Sequence, residues 1–247
     1  MTPELSIQGH VATITLRRAP HANRLDPHDL AALAEHVATV NVREEVLVLR
    51  LQAHGKYFCS GYDISQISGP HVLSFDQMVD AFEEARPVTI AVIQGGVYGG
   101  ATDLALACDF RVGSTGVDMF MPAARLGLHF YQRGLERYVS RLGVNMAKRL
   151  FLTGEKIDAQ QMLACGFLTH LVPPEALHAT ADALTQTLAE LAPLALLGMK
   201  KHLTRIARGT LDSTELQRDI ARAQQSADLK EGAAAWAEKR QPRFTGR

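Results

Sequence analysis

Apolar positions along this chain switch between a period of two and a period near 3.6. Residues 11–16 read Val-Ala-Thr-Ile-Thr-Leu, an alternation that predicts a strand. Residues 46–51 and 88–93 are largely apolar runs with several β-branched side chains, broken only by Arg50 and Thr89, which suits strands covered on both faces. Residues 109–112 continue the series. Helical spacing lies between these runs. Leu30, Leu33, Ala34 and Val37 form one apolar face behind Asp26, an expected N-cap with Pro27 at the first helical position. A second amphipathic helix is expected over residues 75–85. After a loop at residues 122–134, helices dominate. Asp158 with Gln161 reads as a capping box and Gly166 as the stop. Helices are then expected from Pro174 to about residue 191 and over residues 193–207, 213–227 and 231–239. Strands alternating with helices, then helices alone, predict an α/β core over residues 1–190 and a helical region over 191–247.

The densest punctuation follows the 88–93 run. Gly95, Gly96, Gly99 and Gly100 fall within six positions, and an apolar helical segment follows with Leu104, Ala105, Ala107 and Cys108. A strand, a glycine turn and a helix start gather backbone N–H groups at one point, with the positive end of a helix dipole behind them. Without a Cβ, a ligand approaches that backbone closely. Phosphate and a developing oxyanion are the two anions such a point suits. A P-loop would need Lys and Ser/Thr after its last glycine, where this chain has Ala101 and Thr102. The glycine spacing is not G-x-G-x-x-G either. A site that stabilises negative charge is the better reading.

Composition narrows the class. The 26 basic and 26 acidic side chains cancel, and no block of like charge occurs, which argues against nucleic acid or a membrane surface as partner. No apolar run reaches spanning length. Cys59, Cys108 and Cys165 are an odd number in apolar surroundings and read as reduced core thiols of a cytoplasmic protein. No Cys/His cluster has metal spacing, so no metal and no resident cofactor are expected.

Four motifs in order resemble the enoyl-CoA hydratase/isomerase (crotonase) superfamily. Phe58-Cys59-Ser60-Gly61-Tyr62-Asp63-Ile64 is similar to its Phe-Cys-Ala/Ser-Gly-x-Asp-Ile motif. Gly95 through Asp103 is similar to its Gly-x-x-x-Gly-Gly-Gly/Ala-x-Glu/Asp motif. Leu152-Thr153-Gly154, Ala159 and Cys165-Gly166-Phe167-Leu168 resemble a third, and Glu231, Trp236, Lys239, Pro242 and Phe244 the C-terminal signature. The resemblance implies a crotonase (ClpP-like) spiral of ββα units with a helical trimerisation region, a homotrimer or dimer of trimers, and an acyl-CoA substrate. Coenzyme A would enter only as part of that substrate.

By motif position, backbone N–H groups of Tyr62 and Gly100 would hold the thioester oxygen as it becomes an enolate, with Gly61, Gly99, Ala123 and Phe130 among the residues that contact the substrate. CoA would lie along Ala22, Arg24, Ser60, Asp63 and Ile64, with Lys239 reaching the nucleotide; Trp236 would be a nearby aromatic or a core anchor. Family hydratases carry two glutamates. Asp103 takes the place of the first, one methylene shorter, and Ala123 takes the place of the second. One carboxylate poorly serves both to position water and to supply a proton, so little crotonyl-CoA hydration is expected. The local motifs come closest to the methylmalonyl-CoA decarboxylase branch, although that branch has His at Tyr62 and Tyr at Phe130. Tyr131, one position on, is a candidate substitute. His129, Arg133 and Glu136 are the other polar groups of that loop. The implied function is therefore an acyl-CoA lyase or isomerase of hydratase type with atypical acid–base residues. Alternatives are a decarboxylase and a CoA-binding member without hydratase activity.

Overall fold

The computed structural model describes residues 1–66 and 73–247. Strands β1 (Glu4–Gln8) and β2 (Val11–Leu16) form a hairpin about Gly9, whose φ of +55° suits glycine. β2 then leads a parallel series: β3 (Val48–Ala53), β4 (Val88–Ile93), β6 (Phe110–Ser114) and β9 (His170–Val172), in the order β1-β2-β3-β4-β6-β9. A smaller sheet joins β5 (Val97–Tyr98), β7 (Asp118–Phe120) and β8 (Lys156–Asp158). The short β1 was not anticipated, because its exposed and half-buried residues alternate at the sheet edge without an apolar run.

β4 explains why a buried strand reads as a largely apolar run. Ala91 and Ile93 enter a core shared with α1 (Pro27–Asn41), α2 (Phe75–Glu83) and α3 (Gly100–Ala107). Val88, Ile90 and Val92 face the opposite way, onto Leu177, Ala181 and Leu188 of α7 (Leu177–Ala189). Side chains alternate between faces, but both faces are covered. Each fully buried aliphatic side chain contributes about 1.5–3 kcal/mol, so the strand that precedes the glycine turn is firmly held.

α1 starts where Asp26 accepts from the N–H groups of His28 and Asp29, a full capping box. α3 forms because Ala and Leu are strong helix formers. Every residue from Ala101 to Ala107 is buried, and the small alanines let α2 and α4 (Gln132–Leu142) pack close. The helix stops at Cys108, whose backbone turns extended. The loop expected over 122–134 is more ordered than its composition suggests: a 3₁₀ turn covers Ala123–Leu126 and α4 already begins at Gln132. Tyr131 precedes α4 with extended backbone and no side-chain cap, so the usual start signal is missing.

Downstream, α5 (Val144–Thr153) and α6 (Ala159–Ala164) lead to β9. The tail carries α8 (Pro193–Ala207), α9 (Ser213–Gln224) and α10 (Ala227–Glu238). Asp228 accepts from Thr245 N and Gly246 N at 2.7 and 2.8 Å, tying the last residues to the start of α10. All three cysteines are free, and burial pushes the Cys59 and Cys108 thiols up to about 12. No helix among the described residues is long and apolar enough to cross a membrane.

Candidate active site

The two glycine motifs meet at the start of α3. Gly61 has φ +94°, and a Cβ on it would lie 2.8 Å from Tyr98 O and 3.2 Å from Gly100 N. The turn bearing Tyr62 therefore runs against the first residue of the buried helix. Gly99 has φ +56° and ψ −132°, a conformation that glycine alone adopts readily. Its N–H donates to Phe120 O at 3.0 Å, which anchors the turn on β7. As the first residue of α3, Gly100 has no carbonyl one turn back to receive its N–H. Gly95 and Gly96 serve packing: a Cβ on Gly95 would lie 1.8 Å from Lys56 O, and one on Gly96 would strike the Tyr98 ring.

The residues expected to bind CoA come together as a ribbon. Leu25 N donates to Gly61 O at 2.8 Å, Asp63 N to Leu25 O at 2.9 Å, and Ser60 N to Ala22 O at 2.9 Å. Ala22 and Asn23 both take φ +51°, held there because Asn23 Nδ2 donates to His54 O and Tyr57 O at 2.9 Å each. Exposed Arg24 pairs with Asp63 at 3.4 Å, and Ile64 is exposed alongside. Lys239 ends α10 with φ +55° and an exposed side chain; nothing among the described residues ties it to this ribbon. Trp236 is 88% exposed, so it is no core anchor within the chain.

Asp103 stands one turn after Gly100, fully buried. Its Oδ2 accepts from the Tyr131 hydroxyl and, at 2.6 Å, from Arg137 Nη1. Its Oδ1 has no hydrogen-bond partner among the described residues. Arg137 also reaches Glu83 at 3.0 and 3.1 Å and Asp80 at 2.7 Å. Burial raises the Asp103 carboxyl above its ordinary range, against the opposing pull of Arg137 and Tyr131. Burial and the Asp103 charge push the Tyr131 phenol well up, so it stays a donor. Burial works against the charge of Arg137, but Asp103 and Glu83 outweigh it and keep the guanidinium protonated.

Asp103 and Tyr131 were both candidates from sequence, and they are in direct contact. Ala123 is buried, and Phe130 is buried and stacks on Tyr131 with centroids 4.3 Å apart. His129 is exposed, and its Nδ1 meets the Phe130 carbonyl. Arg133 pairs with Asp80 at 3.4 Å and Glu136 at 3.2 Å. Sequence reasoning missed Arg137, Glu83, Asp80 and Phe75. The spacings Asp80/Glu83 and Arg133/Arg137 were visible as helix-face pairs, but nothing in them says that α2 and α4 face each other across α3.

These features match a known sequence pattern from end to end. The family model described as enoyl-CoA hydratase/isomerase covers residues 6–247. The chain belongs to the enoyl-CoA hydratase/isomerase family. Its relatives include an (E)-benzylidenesuccinyl-CoA hydratase from Thauera aromatica, 29% identical with all of both chains covered. A methylmalonyl-CoA decarboxylase from Escherichia coli (strain K12) is also 29% identical, over 96% of this chain and 95% of the relative. Among solved structures, an enoyl-CoA hydratase/carnithine racemase from Magnetospirillum magneticum superposes with a TM-score of 0.92. It is 26% identical and covers 100% of this chain and 96% of that one. The crotonase fold expected from the motifs is thus the fold observed, and the family's members are hydratases, isomerases and decarboxylases.

Proposed function

We propose that this protein processes acyl-CoA thioesters by stabilising an enolate oxyanion between the backbone N–H groups of Tyr62 and Gly100. The observation that carries this is the packing of Gly61 against Gly100 N at the start of the buried helix α3. Preorganised donors and a helix dipole there oppose the charge that develops on the thioester oxygen. Losing one such donor typically costs about 2.7–4 kcal/mol of transition-state stabilisation. Asp103 is the acid–base candidate: Oδ2 is occupied by Tyr131 and Arg137, which leaves Oδ1 as the acceptor.

Exchange of the α-protons of butyryl-CoA in D₂O, followed by mass spectrometry, tests this. Deuterium incorporation well above the protein-free rate is expected, while crotonyl-CoA hydration stays slow because Ala123 supplies no second carboxylate. No exchange with any bound thioester, together with no release of CO₂ from methylmalonyl-CoA, would sink the enolate reading. The buried methyl of Ala123 favours a second reading, decarboxylation, which forms the same enolate without a base. Release of CO₂ from methylmalonyl-CoA with no exchange on butyryl-CoA would favour that reading.

We assign CoA to the ribbon of Ala22, Arg24, Ser60, Asp63 and Ile64, with Lys239 contributing from α10, in this subunit or a neighbour. Arg24→Ala is expected to weaken free CoA binding about three- to tenfold by calorimetry, with the effect shrinking as salt is added. Unchanged affinity at low salt would move the nucleotide site elsewhere. A trimer or dimer of trimers is part of the same proposal. Met199, Leu203 and Ile206 of α8 are exposed and offer an apolar surface for it, whereas Leu197 packs against the core under α7.

A further inference from the structure

Phe75, the first residue of α2, lies over the turn on which the proposed chemistry depends. A Cβ on Gly100 would be 2.7 Å from its Cζ and 2.9 Å from its Cε1, so the ring edge rests on the first residue of α3. Two further rings flank it: Tyr62 at a centroid distance of 5.7 Å and Tyr131 at 6.4 Å. Tyr131 is itself fixed by its bond to Asp103 and by stacking on Phe130. The ring of Phe75 is therefore flanked by two rings, one of which the site keeps in place. Its backbone is held as well. Ser74 N donates to Gln77 Oε1 at 3.0 Å in the capping box that starts α2. Packing fixes the far end of the same helix, where Met78, Val79 and Phe82 are buried in the main core.

We infer that Phe75 is the size-limiting residue of the acyl pocket and restricts the protein to thioesters of short acyl groups. The inference rests on the placement of the thioester carbonyl at Tyr62 and Gly100. An acyl chain leaving that carbonyl sets out beside Gly100, and there it meets a ring anchored at both ends of its helix. Each methylene that a pocket buries is worth about fourfold in affinity. A longer chain forfeits that gain and must also displace the ring or bend back from it, which costs affinity outright. Interiors pack too tightly for a fixed ring to yield without displacing its neighbours. The family fold supplies the carbonyl site; the identity of residue 75 sets the acyl length.

The test is calorimetric binding of free CoA, butyryl-CoA and octanoyl-CoA to the full-length protein and to Phe75→Ala. The unmodified protein is expected to bind butyryl-CoA at least tenfold more tightly than octanoyl-CoA. Phe75→Ala is expected to abolish or invert that ratio and to leave free CoA affinity within about twofold. Phe75→Leu, which removes the ring but keeps a branched apolar side chain, is expected to give an intermediate ratio and serves if the alanine variant fails to fold. An unmodified protein that binds octanoyl-CoA as tightly as butyryl-CoA overturns the inference. So does a ratio unmoved in the folded variants. Both outcomes leave the acyl-CoA reading standing. Failure of CoA and both thioesters to bind at all overturns the acyl-CoA reading, and this inference with it.

Discussion

Gly61→Ala is expected to lower turnover of an enolate-forming thioester about 10²–10³-fold, the effect typical of losing one oxyanion donor. The backbone at Gly61 has φ +94°, where an L side chain is strained by about 1–2 kcal/mol. Space is the larger obstacle. The new Cβ would meet Tyr98 O at 2.8 Å and Gly100 N at 3.2 Å, and both are backbone atoms that no side-chain rotation can move. The turn must therefore shift, and Tyr62 N–H moves with it relative to Gly100 N–H. The Arg24–Asp63 ion pair involves neither Gly61 nor Gly100, so free CoA affinity is expected to fall much less than kcat. The measurement is kcat against KM for α-proton exchange, with circular dichroism to establish that the variant folds. A folded variant with turnover within threefold of the parent would show that the oxyanion is held elsewhere.

Much of this was legible before the structure, for reasons that are local. The glycine turn after β4, the N-cap at Asp26 and the capping box at Asp158 are short-range signals, and all three appear where expected. The oxyanion candidates Tyr62 and Gly100 come from motif position, and the structure brings their two turns together. What was not legible is pairing across distance. Asp103 and Arg137 are 34 residues apart, and Glu83 and Arg137 are 54 apart. No periodicity reports that α2, α3 and α4 stack so that three acids converge on one guanidinium. Phe75 escaped for the same reason, since an aromatic at the start of an amphipathic helix reads as ordinary core. Tyr131 was half legible: its place in the polar loop at residues 122–134 suggested chemistry, but its acceptor is visible only in the fold.

Arg137→Ala is expected to cost about 3–5 kcal/mol of folding stability, the range for removing one partner of a buried ion pair. Arg137 is 2% exposed, and its loss leaves Asp103 and Glu83 buried with far less opposing charge. The other groups that face this cluster are Asp80 on α2 and Arg133 and Arg141 on α4, with Arg208 at the end of α8 touching Glu83. Arg141 and Arg208 approach Glu83 at 3.6 and 3.8 Å, so they soften its exposure but do not reach Asp103. The pH dependence has a definite sign. Burial raises both Asp103 and Asp80 above the ordinary value of 3.8, so the folded state binds their protons more tightly than the unfolded state does. Stability from such a group is fully present below 3.8 and is lost as pH rises through the folded value. Removing Arg137 raises both groups further and widens that window. The deficit of Arg137→Ala is therefore expected to be smallest near pH 4 and largest at neutral pH, where the carboxyls must be charged without their partner. Arg137→Lys, which restores the charge without the fork of donors, is expected to recover only part of the loss. Urea unfolding of the three proteins at acid and neutral pH measures this. A deficit under 1 kcal/mol, or one that does not change with pH, would mean that Asp103 is held by something other than the Arg137 charge.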